Sequence, residues 1–173
     1  MTSPIFGQYE IVPPKGFTND IGHMVAMLDD LKGRITQRVQ SLTLEQTDYL
    51  LDDQANRIGA MILHLAATEV YYQKYTFENR QLTTEEKQQW DVAQNLGDEG
   101  RKQLHGKPIS YYLKIWNEVR EETKRLMKSK DDDWFKKSNG SMTNHWAWYH
   151  VMEHQANHMG QITMIAKRAR AVD

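Results

Sequence analysis

The sequence predicts an all-α protein, and three observations carry that expectation. Three of the four prolines, Pro4, Pro13 and Pro14, fall before Lys15, and only Pro108 interrupts the remainder of the chain. Long proline-free stretches leave room for long helices, because proline removes a backbone donor and clashes with the preceding turn. Within those stretches apolar residues recur every three or four positions, the helical period. Alternating β-branched runs flanked by Asn-Gly or Gly-Gly turns, the mark of strand hairpins, are missing.

Residues 1–17 read as an extended arm and residues 18–173 as one bundle domain. Thr18-Asn19-Asp20 offers side chains that can cap a helix start, and Ile21, Val25, Leu28, Leu31, Ile35 and Leu42 draw one apolar stripe to near Leu42. Thr43-Leu44-Glu45-Gln46 has the form of a capping box and opens a short turn through Leu51. The second long helix is expected from Gln54 to Phe77 along Ile58, Ile62, Leu65 and Tyr72, with Gly59 permitting a close approach of a neighbouring helix. Thr83 and Glu86 repeat the capping box and start a polar helix to about Leu96, and Gly97 to Pro108 reads as loop. The third long helix runs from Ser110 to about Lys128, with Tyr112, Trp116, Val119 and Met127 near one face. Asp131–Asp133 and Ser138–Ser141 punctuate, and the fourth long helix runs from Thr143-Asn144 to about Ala169. Four amphipathic helices joined by one long crossover region make a four-helix bundle the natural architecture.

At 173 residues the chain can bury a proper core. Lys plus Arg number 22 against 23 Asp plus Glu, so the basic excess of a nucleic-acid binder is lacking. No apolar run approaches the roughly 18 residues of a membrane span. The start, Met1 to Gly7, has neither a basic segment nor a long apolar one, so the expected location is the cytoplasm. The chain has no cysteine. Disulfides, thiolate ligands and an internal thiol nucleophile are thereby excluded.

The chemistry concentrates in His150-Val-Met-Glu153-His154-Gln-Ala-Asn157-His158-Met-Gly-Gln161. Residues four apart lie on one helix face, so three histidines climb the same side. The stripe Ala147, Val151, His154, His158, Ile162, Ile165 puts His154 and His158 where a bundle would place leucine, with His150 flanking them. Buried imidazoles need partners for a donor and an acceptor, and a divalent metal satisfies neutral rings by accepting their lone pairs. A third ligand must come from another helix. His64 sits mid-helix in the most apolar stretch, Ala60 to Thr68, close to the inward stripe; taken alone it reads equally well as a core-edge histidine. His23 lies off its stripe, His105 falls in a glycine-rich loop and His145 looks like a surface residue at a helix start. His150-x-x-Glu153-His154 matches the inverted zincin string, but only 19 residues follow it, too few for the further downstream ligand. The paired Glu-x-x-His motifs of a ferritin-like di-iron bundle are lacking.

Asn157 and Gln161, each three residues after a histidine, are candidates to orient the imidazoles. Glu69 and Glu153 are conceivable proton acceptors, neither clearly inward, and Arg57, Tyr71 and Tyr72 could line a mouth. Trp146 and Trp148 project to nearly opposite sides of their helix, so one of them is expected at the surface, where a second copy could cover it.

The blocks Ile58 to Glu69 and His154-Gln-Ala-Asn-His158-Met-Gly-Gln161-Ile162 resemble the DinB-like (YfiT-like) family of metal-dependent enzymes, over nearly the whole chain from Thr18. The resemblance implies a four-helix bundle in up-down-down-up order and a metal on His64, His154 and His158. It also implies a homodimer. Some relatives are transferases or isomerases that use a low-molecular-weight thiol such as bacillithiol, mycothiol or glutathione. Met159 stands where the family often has arginine after the last ligand, which weakens an anion-binding role there. Three imidazoles leave a coordination position for water or substrate, as catalytic zinc sites do; zinc or nickel is expected, with iron or copper suited to the same nitrogen donors. Three readings stay open: a thiol-dependent S-transferase acting on a small molecule, a hydrolase using metal-bound hydroxide, and a non-catalytic, stress-associated metal-binding protein in which His150 fills the fourth position.

Overall fold

The computed structural model describes residues 10–171. Residues 1–9 of the expected arm, Pro4 among them, lie outside the described residues. Its elements are α1 (Asn19–Val39), α2 (Leu44–Thr47), α3 (Ile58–Phe77), α4 (Thr84–Asn95), α5 (Gly97–Gln103), α6 (Ile109–Lys128), α7 (Asp132–Lys136), β1 (Ser138–Asn139), β2 (Met142–Thr143) and α8 (Asn144–Ala169). The long helices are the four the hydrophobic period marks out, and both capping boxes form: Thr43 with Gln46, and Thr83 with Glu86.

Contacts fix the helix directions. Asp29 and Lys32 of α1 meet Arg120 and Asn117 of α6 in reverse order, so those two run antiparallel. Glu69 and Gln73 of α3 meet Trp116 and Thr123 of α6 in the same order, so that pair is parallel. His64 and Thr76 of α3 meet His154 and Trp148 of α8, again reversed. The order is therefore up-down-down-up, and a parallel α3–α6 pair obliges the chain to return the length of the bundle through α4 and α5. Gly59 lets these two helices approach closely: a Cβ there would collide with the Tyr112 ring.

Two apolar clusters fill the bundle. One gathers Ile35, Ile62, Leu65, Trp116 and Ile162; the other gathers Met24, Leu28, Met127, Phe135 and Trp148. Between them lies a polar layer. Glu69 and Arg120, 0% and 1% exposed, form a forked pair through Nε to Oε1 (2.8 Å) and Nη2 to Oε2 (3.0 Å). Trp116 Nε1, Thr123 Oγ1 and Gln155 Nε2 also donate to Glu69, while Arg120 donates to Asp29 and to Gln155 Oε1. All four long helices thus contribute to one network.

Several expectations need correction. The first helix ends at Val39 rather than near Leu42, because the chain must turn out to set the Thr43 capping box. The turn that box opens closes at Thr47, short of Leu51. The second long helix begins at Ile58, not Gln54: Asp52 accepts from the Gln54 amide, and Arg57 is extended, reaching the Asp48 and Arg101 carbonyls. The stretch Gly97 to Pro108 is not all loop, since α5 occupies its first half after Leu96 takes φ +55° and redirects the chain. Ser138 to Thr143 closes a two-pair hairpin in which Gly140 supplies φ +64°. Glu69 is wholly inward.

Thr18 offers α1 no side-chain cap; Asp132 of α7 does so instead, accepting from Thr18 Oγ1 and from the amides of Asp20 and Ile21. Desolvation opposes the Asp132 charge, yet the bonds from Thr18, Ile21 and Asp20 prevail and hold its carboxyl below the ordinary value. A depressed carboxyl stabilises the fold above its unfolded value, and that contribution is lost as pH falls through the folded value. Asp132→Ala should therefore cost about 1 kcal/mol in denaturant unfolding at neutral pH, with a smaller difference from wild type under acid. Arg120→Met, which strands a buried carboxylate, should cost about 3–5 kcal/mol, and Glu69→Leu added to it should restore much of the loss.

Candidate metal centre

The antiparallel α3–α8 seam brings three of the seven histidines together. His64 stands in the second turn of α3, and His154 and His158 stand one turn apart on α8. His64 Nε2 lies 3.0 Å from His154 Nε2, which lies 3.1 Å from His158 Nε2. One nitrogen from each ring falls within 4.8 Å of the others, and all three residues are half-buried.

Proton accounting shows that the three rings cannot satisfy one another. His64 Nδ1 is 2.9 Å from the Ala93 carbonyl, which only accepts, so Nδ1 carries the proton and Nε2 presents a lone pair. Gln161 Oε1, 3.0 Å from His158 Nδ1, does the same for His158. Two lone pairs then face His154 Nε2, which can donate to only one of them. Its own Nδ1 is buried with no hydrogen-bond partner among the described residues. Either tautomer of His154 leaves demand unmet, whereas a cation at the meeting point would accept all three lone pairs. Nitrogens bound to one ion at about 2.0–2.1 Å stand roughly 3.0–3.4 Å apart, which the closest pairs approach. The donor set fits a borderline divalent transition metal.

Electrostatics favours the same state. Burial lowers His64, although the Ala93 and Gln94 backbone pulls the other way. Burial, then the neighbouring His158, His64 and His150 rings, drives His154 down to about 3. His158 is lowered by burial and by His64. The three rings are therefore neutral at pH 7, with lone pairs free to coordinate.

The other sequence candidates fall outside the cluster. His150 Nδ1 pairs with Glu153 at 3.2 Å, and its ring centroid is 6.1 Å from that of His154. Gln161 does orient an imidazole, but Asn157 is exposed and His154 Nδ1 goes without it. His105 binds the Lys102 carbonyl, and His145 stacks on Phe135. Glu69, considered as a proton acceptor, is locked by Arg120 in the core. Sequence reasoning missed the Ala93 carbonyl altogether. The available signal was Trp90 and Ala93, three apart in an otherwise polar helix and both buried.

His64→Ala or His154→Ala should abolish stoichiometric zinc uptake, as read by elemental analysis after dialysis. Gln161→Ala should weaken zinc affinity by about 10–100-fold through loss of ring orientation. His150→Ala should leave uptake at one ion per chain, since His150 stands apart from the converging nitrogens.

The family model described as mycothiol-S-transferase matches residues 23–170, from the second turn of α1 to the end of α8, and the match includes all three clustered histidines. No curated protein matches the chain. With most of its length matched, the chain belongs to the mycothiol-S-transferase family, a DinB/YfiT-like family.

Proposed function

We propose that the protein is a metal-dependent S-transferase that joins a low-molecular-weight thiol of the mycothiol kind to a small electrophile. The observation that carries this reading is the convergence of three neutral imidazoles, their other protons held by Ala93 and Gln161 where those partners exist. Membership of a family described by thiol transfer supplies the reaction class. The chain has no cysteine, so the reacting sulfur must come from a cosubstrate.

His64, His154 and His158 would hold one divalent ion, zinc or nickel. Such an ion supplies Lewis acidity, which makes a coordinated thiol easier to deprotonate at neutral pH. The half-buried seam limits competing water, and Gln161 and the Ala93 carbonyl keep the rings aimed. In the transfer the thiol proton passes to solvent, the sulfur forms a bond to the electrophilic carbon, and the leaving group departs with its bonding pair. His150, engaged by Glu153 rather than aimed at the centre, favours this reading over a fully protein-ligated storage site.

Zinc- or nickel-loaded protein, given mycothiol, bacillithiol or glutathione with 1-chloro-2,4-dinitrobenzene, should consume thiol at a rate that chelation abolishes and His158→Ala removes. Turnover of an ester or amide without added thiol would transfer the centre to hydrolysis. No rate above background with any of the three thiols overturns the S-transferase reading.

A further inference from the structure

Of the three clustered rings, His154 is the one whose second nitrogen goes unanswered: its Nδ1 is buried without a hydrogen-bond partner among the described residues. The hydroxyl of Thr68, a residue of α3 that is 5% exposed, is buried without a partner as well. Polar atoms left unpaired in an interior cost free energy, so each needs an account.

Thr68 is the exception among the buried threonines. Thr47, Thr76 and Thr123 each turn the hydroxyl onto the carbonyl four residues back, those of Thr43, Tyr72 and Val119. A helix offers that bond to any threonine. Thr68 does not take it from His64, which stands four residues before it, and its Oγ1 keeps both an acceptor and a donor in reserve.

The register of the α3–α8 seam brings the two atoms to one level. The helices run antiparallel, and ring contacts mark two steps along them. His64 meets His154 and His158 with centroids 4.8 and 5.0 Å apart, and Tyr72 meets His150 at 5.9 Å. Thr68 stands one turn from His64 and one turn from Tyr72, about 40° around α3 from each. His154 stands one turn from His150 and one turn from His158 on the facing helix. Thr68 therefore fills the step between the two ring contacts, on the side of α3 turned to His154. Glu69, the next residue, cannot serve instead, because its carboxylate is turned away to Arg120.

We infer that Thr68 is the positioning residue for the third ring: its hydroxyl accepts the Nδ1 proton of His154, directly or across one water, which aims the Nε2 lone pair at the point that His64 and His158 already face. Each imidazole then has an acceptor of its own, the Ala93 carbonyl, the Thr68 hydroxyl and the Gln161 amide oxygen. The inference rests on the reading that the three rings hold one divalent ion, and is independent of the reaction run there.

Thr68→Val keeps the shape of the side chain and removes the hydroxyl. Zinc affinity, measured by competition with a chromophoric chelator, should fall at least tenfold. Thr68→Ser should restore most of that loss, and Asn157→Ala, at the exposed residue with the spacing of a ring partner, should leave affinity unmoved. Metal-free Thr68→Val should unfold at or above the wild-type temperature, since it loses only an unpartnered hydroxyl. In proton–nitrogen spectra of the zinc-loaded protein, Thr68→Val should move one of the three histidine Nδ1–H resonances and leave those of His64 and His158 in place. A smaller loss of affinity overturns the inference, as does a loss that serine fails to repair, which would assign the effect to packing. Lower stability of metal-free Thr68→Val also overturns it, because the hydroxyl would then be serving the fold. Wild-type protein that takes up no zinc removes the metal reading and this inference together, whereas one zinc per chain held equally by wild type and Thr68→Val removes the inference alone.

Discussion

The fold is organised by one buried ion pair. Glu69 and Arg120 are removed from water almost completely, and neither charge could stay there unpaired. Apolar side chains tolerate small rotations of a helix, but a forked carboxylate–guanidinium contact does not, because both oxygens and both nitrogens must meet. That requirement fixes α3 against α6. Arg120 extends it to α1 through Asp29, and Gln155 extends it to α8 by accepting from Arg120 and donating to Glu69. Gln155 is the residue that follows His154. Holding it in the core sets the rotation of α8, and that rotation turns His154 and His158 toward His64. A layer that contributes little net stability can in this way decide where the histidines point.

The second constraint is topological. A parallel α3–α6 pair cannot be joined by a short turn, so the chain must travel back along the bundle, and α4 and α5 are the means. The crossover also serves the centre. Trp90 and Ala93 seat the C-terminal half of α4 on the core, and the Ala93 carbonyl, close to the free C-terminal end of that helix, accepts from His64 Nδ1. Carbonyls in the last turn of a helix have no intrahelical donor, so an imidazole N–H satisfies a need of the fold and fixes its own tautomer in the same bond.

Much of this was legible in the sequence. The 3–4 spacing of Ile21, Val25 and Leu28, the two capping boxes, and the run from Asn144 to Ala169 each arise from interactions within a few residues, which is why pattern alone finds them. The i, i+4 placement of His154 and His158 is likewise local. His64 needed a partner 90 residues away, and its reading depended on the resemblance as well as on an unusual imidazole in an apolar stretch. What pattern cannot reach is pairing at a distance and bonding to main chain. Glu69 and Arg120 are 51 residues apart, and each looks like an ordinary surface charge when its helix is read alone. The Ala93 carbonyl has no side-chain signature at all. Asn157 failed as a ring partner although it stands at the same offset from His154 as Gln161 does from His158: Gln161, longer by a methylene, reaches its ring, whereas the shorter Asn157 stays exposed.

The two polar features of the interior explain each other by their charge. In the layer, Arg120 is answered by Glu69 and Asp29, and Asp29 is met in turn by Lys124, so the layer closes on itself and lends the histidines no carboxylate. The imidazoles next to it must then be neutral, because burial penalises their protonation and each would repel the next. Burial keeps the rings neutral, and the carbonyl of Ala93 and the amide oxygen of Gln161 fix which nitrogen of His64 and His158 carries the proton, so that their free lone pairs face one point. Neutral donors would leave the full charge of a divalent ion uncompensated by the protein. A centre of that kind would favour an anionic fourth ligand, and the thiolate of the proposed cosubstrate would be a soft anion suited to it.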